Sequence, residues 1–273
     1  MGRAGDGMRN QIVGLVRFSY AALNGFTKAP ADMAALEAQL YDPERLARRF
    51  HLFERLMMPS LLAQEDGDFQ TVFLTGTSLP KAARERLAAA VAPLRGAMIV
   101  ELEPMAHYTA TQHAFAAALR DDATHLTSFR LDDDDAFDRR YIRRLRRMSA
   151  QSADVFGADA PQVVSGNRGF FLEIDPAGNR IFDVVEKAPP GSGPAMIAPA
   201  ASGENIFRRN HRLLQQFFNT LTDVDSPSFI RTVHRDNDSV PQASGLIGKR
   251  PDAANEAALE RHFPFTAAEL KTL

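Results

Sequence analysis

Four consecutive aspartates, Asp132 to Asp135, are the residues whose type and spacing point most directly to chemistry. Adjacent carboxylates repel one another, and a divalent cation relieves that repulsion most simply. Hard, oxygen-preferring ions such as Mg²⁺ or Mn²⁺ suit this ligand set. In a polar linker the same run would be an acidic surface loop, since charge runs are usually solvated. Here it follows Thr124–Leu131, an apolar-alternating stretch that reads as a strand. In open α/β sheets, ligands sit beyond the carboxyl ends of strands.

Two basic features accompany the run. Gln11–Ser19 (QIVGLVRFS) reads as a buried strand whose end carries Arg17 and Ser19. An arginine there can fork onto phosphate or carboxylate, or form a surface ion pair. After the Asp run, Phe137, Tyr141, Leu145 and Met148 fall on one helical stripe, with Arg139, Arg140, Arg143, Arg144, Arg146 and Arg147 around it. Such a helix is a solvated face with local pairing to Asp138, or a contact for a lipid surface or a polyanionic acceptor.

The elements that must position these groups alternate. Asp42-Pro43-Glu44 looks like an N-cap with proline at the first helical position, opening a helix that should stop at Pro59. Its stripe of Leu46, Phe50, Phe53, Leu56 and Met57 reads as core. Strands are expected at 71–76 and 96–103, and helices from Leu79 to near Pro93 and over Tyr108–Arg120. Strands alternating with helices argue for a parallel sheet covered on both faces. Beyond the run, Gln162–Asp175 resembles two strands with a tight turn at Gly166-Asn167, and Arg180–Lys187 another, paired antiparallel. Ala188–Gly203, rich in Pro, Gly, Ala and Ser, is expected to be a mobile loop that closes over ligand. A helix over Asn205–Thr220, a strand Phe229–His234, and a polar tail ending in a helix near Thr266–Leu273 complete the reading.

The totals narrow the classes. The chain has 273 residues, 45% hydrophobic and 24% charged, ordinary for a soluble globular protein. A net charge of −2 provides no global attraction to nucleic acid. The absence of cysteine excludes disulfides, thiolate metal sites and a cysteine nucleophile. Ile12–Val16 is too short for a signal-peptide core and Arg17 interrupts it, so the expected location is cytoplasmic, including the inner face of the membrane.

Spacing separates the acidic-cluster chemistries. An EF-hand needs glycine at its sixth position and glutamate at its twelfth; counted from Asp132 these are Phe137 and Arg143. A prenyl-synthase motif traced through Asp134, Asp135 and Asp138 needs an all-helical cavity and a second copy, and there is none. A nucleotide-diphosphate site, in which a cation bridges carboxylates and diphosphate, remains. Arg17-Phe18-Ser19, Pro59-Ser60-Leu61 with Gln64, Arg130 to Ala136, and Phe229 to Ser239 together resemble the rhamnosyltransferase family of bacteria, itself similar to GT-A glycosyltransferases. The resemblance covers most of residues 10 to 240.

The resemblance implies an α/β fold: a GT-A-like, Rossmann-type mixed sheet flanked by helices, with an antiparallel second half. It implies one domain over 1–273, with a nucleotide-binding half at 10–136, an acceptor side at 137–240 and a tail at 241–273. It implies a nucleotide-sugar donor, a glycan or glycoside acceptor, and Mn²⁺ or Mg²⁺. Arg17, Phe18, Ser19, Arg130, Asp132 and Asp133 would contact substrate; Asp134, Asp135 and His234 would meet the metal. Of the last pair of aspartates, either could be the ligand. An inverting reaction needs a carboxylate base, for which Glu186, Asp183, Asp236 and Asp238 are candidates; Asp134, Glu186 and Asp236 are carried as catalytic. Two rivals stand beside this reading. One is a nucleotidyltransferase acting on a sugar phosphate, although no Gly-rich triphosphate loop follows the first strand. The other is a non-catalytic binding protein docking through the Arg-rich helix.

Overall fold

The computed structural model describes residues 7–24, 32–234 and 252–273, together with the backbone of 246–247. Its strands in chain order are β1 (Asn10–Arg17), β2 (Gln70–Gly76), β3 (Ala97–Leu102), β4 (His125–Asp132), β5 (Ala136–Phe137), β6 (Gln162–Gly166), β7 (Arg168–Glu173), β8 (Arg180–Val185), β9 (Ala195–Pro199), β10 (Asn219–Asp223), β11 (Phe229–Val233) and β12 (Leu246–Ile247). The helices are α1 (Met33–Leu40), α2 (Pro43–Leu52), α3 (Met58–Leu62), α4 (Lys81–Val91), α5 (His107–Ala118), α6 (Tyr141–Phe156), α7 (Leu214–Phe217), α8 (Asp252–His262) and α9 (Ala267–Lys271).

Strands β1 to β4 form the expected parallel unit. The seven-stranded sheet runs β10-β6-β9-β4-β1-β2-β3, so the chain steps outward from β1 through β2 to β3, then returns to the other side of β1 as β4. Apolar runs such as Ile12–Val16 are buried on both faces, as a covered parallel sheet requires. A second sheet, β12-β8-β7-β11-β5, contains the expected antiparallel β7–β8 pair. Among the described residues no helix is long and apolar enough to cross a membrane.

Five expectations are corrected. Pro59 does not end the second helix: α2 widens into a π-helical turn at Phe53–Met57 and continues as α3. Proline lacks an N–H and crowds the preceding turn, and a π-turn is one way a helix absorbs that. The Gly166-Asn167 turn joins no hairpin, because β6 enters the large sheet and β7 the small one. Ala188–Gly203 is not a mobile loop. It contains β9, buried between β4 and β6, with Ala195, Met196, Ile197 and Ala198 in the core. Asn205–Thr220 is not one helix. Asn205 and Asn210 turn their side chains onto the amides of Phe207 and Arg212, each at 3.0 Å, favouring short 3₁₀ turns before α7 and β10. Phe137 belongs to β5 and stacks on Tyr141 of α6 at 3.7 Å between ring centroids, so the Arg-rich helix starts later than its stripe suggests.

The expected caps are present. Asp42 accepts from the Arg45 amide at 2.8 Å, and Thr266 with Glu269 forms a capping box for α9.

Candidate nucleotide-binding site

β1 and β4 lie side by side where the strand order reverses, the position at which open α/β sheets leave a crevice. Their register sets Arg17 opposite Asp132, each the last residue of its strand. Gly14 lies opposite Phe129 in that register, and a Cβ there would collide with the Phe129 ring. Past Arg17 the chain turns sharply: Ser19 adopts φ 49°, a left-handed conformation costly for a non-glycine residue. Its hydroxyl accepts from Arg45 Nη1 at 3.2 Å. Phe18, expected at substrate, is instead fully buried against Phe50 and Phe53, with centroids 4.6 and 5.2 Å away. As a large apolar side chain it stabilises the core by about 1.5–3 kcal/mol.

The four aspartates divide. Asp132 keeps its carboxylate toward the crevice, its side chain 32% exposed, with Arg130 Nη2 at 3.5 Å. Asp133 and Asp134 form a turn and point inward. Arg49 of α2, itself buried, meets both: it ion-pairs with Asp133 and donates to Asp134 Oδ2 at 2.9 Å. His234 Nε2 lies 2.9 Å from the same Asp134 oxygen. Asp135 accepts from Ser192 Oγ at 2.5 Å and from the Thr232 amide at 2.9 Å. Ser192 belongs to the Pro/Gly-rich segment expected to move. Its hydroxyl also accepts from the Asp132 amide at 3.2 Å, so that segment is fastened to the Asp run.

Electrostatics follow the division. Burial pushes Asp133 up to about 7 against the pull of Arg49. Burial also raises Asp134, but Arg49 and His234 outweigh it and hold the carboxyl below the usual range. Burial, then Asp134 and Asp132, push Asp135 well up. These carboxyls titrate as a coupled set.

On the crevice side the charges are positive. Arg130 is 12% exposed, with its guanidinium 5.1 Å over the Phe207 ring, and its buried Nε–H has no acceptor among the described residues. Arg231 on β11 lies 5.9 Å over Phe171. A Cβ on Gly191 would be 3.6 Å from both the Arg231 guanidinium carbon and Asp132 Oδ2, so these two groups border the same small space. Burial, helped by Arg17 and Arg130, lowers His107 to about 3; burial, helped by Arg130 and Arg231, lowers His211 to about 2. Both imidazoles are therefore neutral.

Asp183 is held by Arg168, at 3.3 and 3.1 Å. Glu186 is buried just after β8, its backbone tied to Asn167. Asp236 and Asp238 lie outside the described residues. Ser60 and Gln64 are braces: Ser60 Oγ accepts from the Phe137 amide at 3.2 Å, and Gln64 spans the Asp138 carbonyl at 2.7 Å and the Ile142 amide at 3.0 Å. Of the Arg-rich helix, Arg144 ion-pairs with buried Asp138, Arg146 with Asp66 and Asp68, and Arg140 and Arg143 with Glu65. Sequence reasoning missed Arg49, Arg231, His107 and His211. Arg49 carried a signal, lying three residues past Leu46 and four before Phe53 on the buried stripe.

A mixed sheet with ligand groups gathered at its switch point defines a nucleotide-binding type of α/β protein. Over residues 11–245 the chain matches the family described as putative rhamnosyl transferase, and it belongs to that family. A comparison with curated proteins yields no match. Among solved structures it is similar to S. aureus TarS 1–349 in complex with UDP, at 12% identity and TM-score 0.45, covering 82% of this chain and 60% of that one. The same protein with UDP-GlcNAc gives 11% identity, TM-score 0.45, and 84% and 60% coverage. A protein described as a putative nucleotide-diphospho-sugar transferase from Desulfovibrio desulfuricans G20 gives 10% identity, TM-score 0.38, and 79% and 80% coverage. The chain thus spans about three fifths of TarS 1–349.

Proposed function

We propose that the chain is a glycosyltransferase that moves a sugar, of the rhamnose type, from a nucleotide-diphosphate donor to a hydroxyl of a glycan or glycoside. The observation that carries this is the pairing of Arg17 with Asp132 at the switch point, in a chain of the rhamnosyl transferase family. Residues 10–136 would bind the donor, and those after them would shape the acceptor side. A peripheral contact with an anionic membrane surface belongs to the same reading, through the outward Arg139, Arg143 and Arg147.

Divalent cation dependence is part of the proposal. Among the described residues no group of three or more His, Cys, Asp or Glu is gathered for a metal. Asp134 and His234, whose oxygen and imidazole nitrogen lie 2.9 Å apart, would hold Mn²⁺ or Mg²⁺. Arg49 bonds the same Asp134 oxygen and competes with such an ion. A cation bound there would supply Lewis acidity to the departing diphosphate. Asp132 would orient the donor from the crevice, and Arg130 and Arg17 would offset the negative charge that grows as the glycosidic bond breaks.

The test is a thermal-shift titration of UDP, GDP and dTDP, each with and without Mn²⁺, followed by donor hydrolysis by wild type and Asp132→Asn. Stabilisation by one nucleotide, and hydrolysis reduced about a hundredfold in the variant, is expected. No stabilisation by any nucleotide overturns the reading. In a parallel titration of UTP, GTP and dTTP, stabilisation by a triphosphate and by none of the diphosphates would favour the nucleotidyltransferase rival instead.

A further inference from the structure

We propose that Arg17, Arg130 and Arg231 form a diphosphate-binding subsite that grips the donor's pyrophosphate directly, so that part of nucleotide binding survives removal of divalent cations. This rests on the nucleotide-sugar reading and adds a binding component separate from the Asp134–His234 pair. Three separate elements supply the arginines: Arg17 ends β1, Arg130 lies on β4 and Arg231 on β11. Arg17 lies opposite Asp132 in the β1–β4 register, and Arg231 and Asp132 both border Gly191.

The counter-charge inside the protein falls short. Among the described residues, Asp132 is the carboxylate that ion-pairs with this group, at 3.5 Å from Arg130, while Asp135 feels Arg231 without pairing with it. The next three aspartates turn away: Arg49 takes Asp133 and Asp134, while Ser192 and the Thr232 amide take Asp135. Among the described residues neither Arg17 nor Arg231 has an ion-pair partner. Three guanidinium charges against one carboxylate leave two positive charges, which the two ionised oxygens of a sugar-linked diphosphate would neutralise.

Desolvation makes this imbalance specific. A buried donor without an acceptor forfeits its hydration, a cost a ligand oxygen can return. The Arg130 Nε–H and the His107 Nε2 are both buried without a partner among the described residues. The Phe207 ring beneath Arg130 and the Phe171 ring beneath Arg231 hold the guanidinium planes in place before any ligand arrives. Neutral His107 and His211 border the group without adding to its repulsion. Planar, pre-oriented guanidinium groups are well suited to bidentate phosphate contacts.

The experiment is isothermal titration calorimetry with UDP, GDP, dTDP, their nucleosides and inorganic pyrophosphate, each in EDTA and in Mn²⁺. The expected result is that the preferred nucleoside diphosphate, and pyrophosphate, still bind in EDTA. Arg17→Gln and Arg231→Gln should each weaken that cation-free binding about tenfold or more and leave nucleoside binding unchanged. Arg231→Lys, which keeps the charge but not the fork, should recover part of the loss. Unliganded Arg231→Gln should melt no lower than wild type, because no ion pair is broken. If it does melt lower, Arg231→Lys carries the test. Diphosphate binding confined to Mn²⁺, or unchanged in both glutamine variants, overturns the subsite while leaving the transferase reading intact. Pyrophosphate binding with no nucleotide binding supports the subsite and overturns the donor reading.

Discussion

Asp132 and Asp133 share a peptide bond and little else. Asp132 ends β4 with an accessible carboxylate that meets Arg130, whereas Asp133, one step into the turn, is sealed against Arg49. Strand geometry explains the contrast. The pleat keeps Asp132 in the sheet's register beside Arg17, while the turn at Asp133 and Asp134 folds the chain back under α2. Four identical side chains thus do two jobs. One faces a site whose charges lack partners; the others build a buried network in which hydrogen bonds and ion pairs are largely met. Satisfied networks hold a backbone in place, and under-compensated charge marks where a ligand belongs.

The largest effect should come from breaking the buried side. Arg49→Met strands Asp133 and Asp134 without their cation, and unfolding free energy should fall by about 3–5 kcal/mol, read by urea denaturation at neutral pH. Asp132→Asn, one residue away from the first of these, should change stability by less than about 0.5 kcal/mol while costing nucleotide binding. A comparable stability loss in both variants would erase the distinction between the two sides.

Bracing of the turn yields the next effect. Gln64→Ala leaves the Asp138 carbonyl and the Ile142 amide without their side-chain partner, and should cost about 1–3 kcal/mol by the same denaturation assay. Here the motif residues Ser60 and Gln64, which help to signal the family, brace the segment just after the Asp run. That bracing was not visible in the sequence, where a motif shows which residues travel together but not what each contacts.

Other parts were legible for physical reasons. The parallel half could be read because β1 to β4 are continuous apolar runs spaced by helices, and their connections are local. β9 was hidden because Ala-Met-Ile-Ala is short, follows a Pro/Gly-rich stretch and pairs with strands far away in sequence. The Asp run announced itself, but a run of one residue type has no face of its own; only the end of β4 decides which carboxylate looks outward. Arg49 sat on a helical core stripe, where a lone arginine can be recognised as the partner of a buried acid, and Arg231 lay within a quoted motif whose alternation reveals its direction only once β11 is placed.

The crevice side predicts a pH dependence of stability. His107 and His211 stay neutral in the folded chain down to about 3 and about 2, whereas in the unfolded chain each takes a proton near its ordinary value of 6.5. Below that value the unfolded state binds more protons, so stability falls as pH drops from about 6.5 toward 3. Each histidine steepens the fall by up to about 1.4 kcal/mol per pH unit. Melting midpoints between pH 4 and 7 should therefore slope less steeply in His107→Gln than in wild type. An unchanged slope would mean that His107 protonates in place and is not held neutral by burial and the neighbouring arginines.

The smallest effect should come from α6, where the same inside-outside contrast recurs within one turn. Arg144 is 10% exposed and locks Asp138 to Ser228, bonding the Ser228 hydroxyl at 3.1 Å. Arg143 is 71% exposed and ion-pairs with Glu65 on the surface. An exposed pair spends its Coulomb energy on side-chain ordering and is screened by salt. Arg143→Ala should therefore leave the melting midpoint unchanged at physiological ionic strength, while Arg144→Ala lowers it clearly, because Asp138 would then be buried without its cation. Equal shifts in the two variants would show that helix charge, and not burial, decides what an arginine of α6 contributes.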